Sequence, residues 1–214
     1  VINPVTRIEG HAKVTIHLAD DGSVKEARFH ITDFRGFEKF CEGRPFYEMP
    51  GLMSRVCGIC PVSHLLTSVK ACDELLAIRP SDTATRLRRL MHMGQIIQSH
   101  ALSFFHLSSP DILLGMDSNP AERNIFGLME SRPELARQGI RLRRFGQSVI
   151  ESLSGKRIHS SEWIVPGGVK TPLSREKAHA LLSDIPEASQ ITRGAIAIYK
   201  RAVDEMSEEV SQFG

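Results

Sequence analysis

No stretch of this sequence approaches the ~20 consecutive apolar residues that a membrane-spanning helix needs, and no basic-then-apolar start reads as a secretory signal. Neither charge sign is in excess: 27 Lys and Arg stand against 25 Asp and Glu, a formal net charge of +2. That balance gives no reason to expect a nucleic-acid or membrane partner. Cysteine is scarce, with only Cys41, Cys57, Cys60 and Cys72 in 214 residues. Four are too few for a disulfide framework, and this points to a reducing compartment. There is no G-x-G-x-x-G dinucleotide fingerprint, no ferredoxin-type cysteine run and no low-complexity segment. What remains is 41% hydrophobic and 24% charged, ordinary for a globular protein with a sizeable core. Both ends look cut, with Val1 already heading into a strand and Gly214 closing a helical stretch. A longer polypeptide is therefore expected.

Residues 12–18 alternate apolar and polar, the period of a half-buried strand. A turn signal at Asp20 to Ser23 leads to a second strand, Val24 to Ile31, with Ala27, Phe29 and Ile31 on one face. Together they predict a hairpin over 12–31. From Pro61 the period changes: Val62, Leu65, Leu66, Val69, Cys72 and Leu76 follow one helix face, which Pro80 ends. Cys72 lies on that stripe and reads as a small core residue. Ser81 or Asp82 caps a long helix to about Leu107, stopping before a loop from Pro110 to Pro120. A short helix starts at Asn119-Pro120, and another runs from Pro133 to near Gly155. A rigid loop at Trp163 to Val169 follows, then a helix from Ser174 to about Asp184 and a last one from Pro186 to about Phe213. Met91 and Met93 read as core filler. Arg-Leu-Arg-Arg occurs at 86–89 and 141–144 with no shared period, a coincidence on two solvated helix faces. The predicted fold is α+β, mainly α: an N-terminal β-hairpin packed on a bundle of long helices over 61–213.

The densest chemistry is Arg55-Val56-Cys57-Gly58-Ile59-Cys60-Pro61-Val62-Ser63-His64. Arg55 is a positive neighbour that favours thiolate over thiol. Gly58 lets the backbone turn tightly, so that both sulfurs can face one centre, about 3–4 Å apart. Pro61 suits the first turn of a helix, and the dipole of that helix favours negative charge at its start. A dithiolate so placed is a metal site or a redox site. Structural zinc needs four ligands, and His64 is the only close addition to the pair. A thioredoxin-like pair belongs near a βαβ unit, whereas this chain shows a hairpin and then helices.

The motif resembles the first cysteine motif of nickel–iron hydrogenase large (catalytic) subunits. Arg7-Ile8-Glu9-Gly10-His11 is similar to that family's R-x-E-G-H, and Arg35-Gly36-Phe37-Glu38 to its R-G-x-E. Gln98-Ser99-His100 with Ser103-Phe104-Phe105-His106-Leu107 resembles a histidine-rich segment of its central helix, and Val165-Pro166-Gly167-Gly168 a later loop. The motifs stand in family order along nearly the whole chain, which resembles the N-terminal portion, 1–214, of a large-subunit domain. The wording Glu-Lys-Phe-Cys-Glu-Gly-Arg-Pro, Cys-Pro-Val-Ser-His-Leu-Leu and Gln-Ser-His-Ala-Leu-Ser-Phe-Phe-His is most like the cytoplasmic, bidirectional, NAD-linked branch.

The resemblance implies a nickel–iron centre on four thiolates, with cyanide and carbon monoxide on the iron. Cys57 would be a terminal nickel ligand and Cys60 a bridging sulfur; soft donors suit such a centre. Glu9 would take the proton released when dihydrogen is split heterolytically, or else be a surface carboxylate paired with Arg7. Glu38 would ligate magnesium, a hard ion that prefers carboxylate, or else be a neighbour of Lys39 on an exposed turn. His64 would place a hydrogen bond near the bridging sulfur, or else be a satisfied core histidine. His100 and His106 lie on nearly opposite helix faces and cannot share a ligand site. The partners implied are a small subunit with an iron–sulfur cluster, diaphorase subunits with FMN and NAD, and maturation proteins.

Two departures matter. Ser99 stands where many members carry Asp, so the charge beside the pocket differs. The second cysteine pair is missing, and Cys41 and Cys72 do not replace it, so this chain is expected to hold half a site and to be inactive alone. The rival readings are a quinone-site subunit of the complex I type and a truncated, non-catalytic interaction module. The first lacks the metal-binding cysteines that are present here.

Overall fold

The two alternating segments pair as expected: β1 (Ala12–Leu18) and β2 (Val24–Ile31) are antiparallel, with Ala12 opposite Ile31 and Ile16 opposite Ala27. An irregularity between His17 and Leu18 brings Leu18 opposite Val24. Because side chains alternate, Ala12, Val14, Ile16, Ala27, Phe29 and Ile31 share one face, and Ile16, Phe29 and Ile31 on it are exposed. Residues 1–43 form one compact unit of this computed structural model, and the remainder forms a second; residues 1–160 and 162–211 are described. The first unit closes with the short helix α1 (Phe37–Cys41).

The second unit is helical. A short α2 (Met49–Met53) precedes α3 (Pro61–Leu75) and α4 (Asp82–Leu102). Ser81 caps α4 by accepting the Ala84 N–H at 3.3 Å. The chain does not leave the helix before Pro110. It widens into π-helical turns over Ser103–Ser108 and re-enters α-helix as α5 (Ser109–Leu114). Pro110 sits in the first turn of α5, where its missing N–H costs nothing, so it starts a helix instead of ending one. Next come α6 (Ile125–Ser131), capped by Asn124, and α7 (Pro133–Ser154), which ends at Gly155 in the left-handed conformation. The Trp163–Val169 loop contains two tiny paired strands, β3 (Ile164–Val165) and β4 (Gly168–Val169).

The expected break near Pro186 does not occur. A single helix, α8 (Arg175–Glu205), runs through it, followed by α9 (Ser207–Ser211). Burial of Leu181, Ala188 and Ile191 on one face of α8 holds the helix on both sides of the proline, offsetting the lost backbone bond. Phe213, the expected end of the last helix, lies outside the described residues.

The core joins Val62, Leu65 and Val69 of α3 to Met91 of α4, Val149, Ile150 and Leu153 of α7, and Trp163, Ile164 and Leu181. Each fully buried aliphatic side chain contributes about 1.5–3 kcal/mol. Cys72 is buried with α3 as expected, and burial, followed by the charge of Asp73, pushes its thiol pKa up. Met93, unlike Met91, is exposed and fills no core. Helices α4 and α7 come into backbone contact at Gly94 and Gly146. A Cβ on Gly146 would lie 2.6 Å from both the Gln98 nitrogen and the Gly94 oxygen. This contact fixes α4, and α4 carries the side chains that reach the cysteine motif.

Candidate metal centre

The cysteine pair sits at the start of α3. Cys60 is the N-cap residue, with φ −124° and ψ 37°, and Pro61 opens the helix. The Cys60 carbonyl accepts the Ser63 and His64 N–H groups at 3.1 and 3.4 Å, which ties the second cysteine to the first turn. The two sulfurs face each other 2.7 Å apart, nearer than the expected 3–4 Å. The Cys60 N–H also donates to the Cys57 Sγ, at 3.3 Å. His64 follows one turn along α3, and ligand atoms of Cys57, Cys60 and His64 all lie within 4.8 Å of one another. All three residues are half-buried, and theirs is the only such cluster of three among the described residues.

The motif's shape has a cause that lies outside the motif. Gly58 is not in the left-handed region, and a Cβ there would meet nothing within 4 Å, so glycine is not what folds this loop. Instead the carbonyl of Ile59 accepts from the Gln95 Nε2 at 2.8 Å and from the Gln98 Nε2 at 3.2 Å, both reaching from α4. One turn upstream, fully buried Ser54 gives its carbonyl to the His159 Nδ1 at 2.9 Å. Arg55 donates through Nη1 to the Gly51 carbonyl at 2.8 Å, an engagement that turns it back toward α2. No sequence pattern marks Gln95 or His159. The i, i+3 spacing of Gln95 and Gln98 on a helix with an apolar stripe is the one available signal.

In the Arg-Leu-Arg-Arg at 86–89, Arg86 and Arg89 are exposed as expected, but Arg88 is not. Arg88 is 7% exposed and Asp73 5% exposed. Arg88 Nη1 donates to the Asp73 Oδ2 at 2.6 Å, and its Nη2 donates to the Val165 and Gly168 carbonyls at 2.8 and 3.1 Å. The Gly167 N–H donates to the Asp73 Oδ1 at 2.7 Å. One ion pair therefore clamps the Val-Pro-Gly-Gly loop onto α3 and α4.

Glu9 and Glu38 belong to the first unit and are exposed there. Lys39 pairs with Glu42 at 2.8 Å, not with Glu38. The loop carrying Glu9 is organised by Asp33, which no sequence motif marks. Asp33 accepts the His11 N–H at 2.9 Å on Oδ2 and faces the His11 Nδ1 at 2.8 Å through Oδ1. These bonds, the backbone one first, hold its carboxyl below the usual carboxylate range. Gly10, at φ +84°, has no room for a Cβ, which would lie 2.5 Å from the Asp33 Oδ2.

Two thiols and an imidazole at a helix start are a soft, partial ligand set that fits a thiolate-rich metal centre and leaves positions for further donors. A cavity of about 530 Å³ between α3 and α4 is lined by Ser63, Lys70, Asp73, Arg88 and His92, but by neither cysteine. The thiols, not the cavity, define the site.

Comparison with known proteins bears on the family of the chain. The nickel-dependent hydrogenase family model matches residues 35–123, and the HoxL-like family model matches residues 1–34. A vhu subunit of the F420-non-reducing hydrogenase of Methanocaldococcus jannaschii is 42% identical over the whole chain, which covers 51% of that protein. The beta subunit of the NAD-reducing hydrogenase HoxS of Cupriavidus necator is 48% identical over 81% of the chain and 37% of its own length. Among solved structures, an NAD+-reducing [NiFe]-hydrogenase in the H2-reduced state superposes with a TM-score of 0.95 at 52% identity, covering all of this chain and 47% of that one. The Ni-Fe-Se hydrogenase of D. vulgaris Hildenborough superposes at 0.82 with 25% identity, over 97% of this chain and 44% of that one. The class is that of the nickel-dependent hydrogenases. Within it, this chain belongs to the large-subunit family and corresponds to the N-terminal portion of such a protein. It spans about half the length of the M. jannaschii relative.

Proposed function

We propose that this chain supplies half of the nickel–iron site in the catalytic subunit of an NAD-linked hydrogenase. The observation that carries this reading is the convergence of Cys57, Cys60 and His64 within 4.8 Å at a helix start. Cys57 and Cys60 would both hold the nickel–iron centre, whose iron would carry cyanide and carbon monoxide. The other two thiolates would come from the part of the relatives' length that this chain does not span. When bound, the centre supplies the heterolytic cleavage of dihydrogen. His64 would lend a hydrogen bond to the Cys60 sulfur. Glu9 accepts the proton, and the Asp33–His11 bonds beside it hold its loop in shape. Glu38 holds magnesium.

Electrons leave through an iron–sulfur small subunit to diaphorase subunits with FMN and NAD, all assembled in the cytoplasm with maturation proteins. The NAD-linked branch is favoured by the HoxS relative and the NAD+-reducing structure, whereas the F420-non-reducing relatives name no acceptor. No described helix is long and apolar enough to cross a membrane. Alone, the 214 residues hold half a site and turn nothing over.

The test is hydrogen-dependent NAD reduction by the matured full-length complex, with Glu9→Gln beside it. We expect activity in the first, and in the variant a roughly 10²- to 10⁴-fold loss with nickel retained, as for loss of a positioned base. A complex without hydrogen-dependent electron transfer would remove the enzymatic reading, and a fully active Glu9→Gln would remove Glu9 from it.

A further inference from the structure

The peptide between Ile59 and Cys60 is held from both sides. Its carbonyl accepts from the Gln95 and Gln98 amides at 2.8 and 3.2 Å, and its N–H donates to the Cys57 Sγ at 3.3 Å. In a planar trans peptide the C=O and N–H point in opposite directions. Fixing the carbonyl toward α4 therefore fixes the N–H toward the Cys57 sulfur. Two donors on one carbonyl are more than the loop needs to satisfy that group. They are also buried at a cost: Gln95 and Gln98 are 3% and 7% exposed, and the Gln95 Oε1 is buried without a hydrogen-bond partner. Behind Gln98, the α4–α7 contact at Gly146 leaves its backbone no room to retreat.

We propose that Gln95 and Gln98 are positioning residues that act through the Ile59–Cys60 peptide plane. They hold the Cys60 N–H on the Cys57 sulfur, and so set how much electron density that thiolate gives to a bound metal. Hydrogen bonds to ligand sulfur are among the levers by which proteins tune thiolate metal centres. The electronic half of this inference rests on the nickel reading above; the positional half rests on the hydrogen bonds alone.

The test uses the full-length protein in its complex, as wild type, Gln95→Met, Gln98→Met and the double variant. Methionine keeps length and bulk but offers no N–H. The first readout is amide exchange, by mass spectrometry, of the peptide over residues 57–62, in which Pro61 contributes no amide. The double variant should exchange roughly five- to tenfold faster there, the loss expected for one hydrogen bond, with each single variant between it and wild type. The second readout is the g-values of the nickel electron paramagnetic resonance signal at unchanged nickel content, which should shift in the same order. Unchanged exchange in the double variant overturns the positioning claim. Faster exchange with unmoved g-values overturns the tuning claim. Wild type without nickel sinks the metal reading, while exchange still decides the positional one. If the double variant does not accumulate, the single variants decide by the same criteria.

Discussion

Replacing Asp73 by Ala would strand the Arg88 guanidinium in a site where it is 7% exposed. Removing one partner of a buried pair costs about 3–5 kcal/mol, because the remaining charge is uncompensated. The Val165 and Gly168 carbonyls still accept from Arg88 at 2.8 and 3.1 Å, which places the loss at the lower end. The Gly167 N–H, 2.7 Å from the Asp73 Oδ1, loses its acceptor as well, adding about 1 kcal/mol. The expected total of about 4 kcal/mol is a large share of the roughly 5–15 kcal/mol that holds a domain folded. Urea unfolding followed by the fluorescence of Trp163, the single tryptophan, reads the same loop: its carbonyl accepts the Lys170 N–H at 2.9 Å. At about 2 kcal/mol per molar urea, the midpoint should fall by about 2 M. Asp73→Leu with Arg88→Met should recover much of the loss, since an apolar pair leaves no charge unpaired. A midpoint shift below about 0.5 M for Asp73→Ala would refute the reasoning and make the pair ornamental.

Gly146→Ala should destabilise by about 1–3 kcal/mol in a thermal melt, because its Cβ meets backbone atoms of Gln98 and Gly94 at 2.6 Å, and neither can swing aside. A change within about 0.5 kcal/mol would be the mark of an ordinary surface position and would contradict the close contact. The Asp33–His11 bonds lower the folded carboxyl pKa, so their contribution is complete above the unfolded value and disappears as pH falls through the folded one. The His11 amide resonance should therefore titrate with a midpoint below about 3.9, the ordinary Asp value, and a midpoint above it would break the link.

Much of the fold is legible in the sequence because periodicity and caps act locally. The hairpin, the α3 stripe from Val62 to Cys72, the Ser81 cap and the Pro133 start all follow from neighbouring residues. What is not legible comes from tertiary contacts. Pro186 reads as a helix start until burial on both sides of it is known, and Pro110 reads as a stop until the π-helical turns carry the chain past Ser103. The site divides in the same way. The clustering of Cys57, Cys60 and His64 follows from spacing along one loop and helix turn. The amides that shape the loop come from Gln95 and Gln98, some 36 and 39 residues from Ile59. Arg88 reads as solvated because its partners, Asp73 and the loop near Gly168, are 15 and 80 residues away.

The central claim is that Cys57 and Cys60 are metal ligands, and nickel stoichiometry tests it most directly. The full-length protein, matured with its assembly proteins, should carry about one nickel per chain, and Cys57→Ala and Cys60→Ala should each lose it. Full nickel content in both variants, or none in the wild type, would contradict the account.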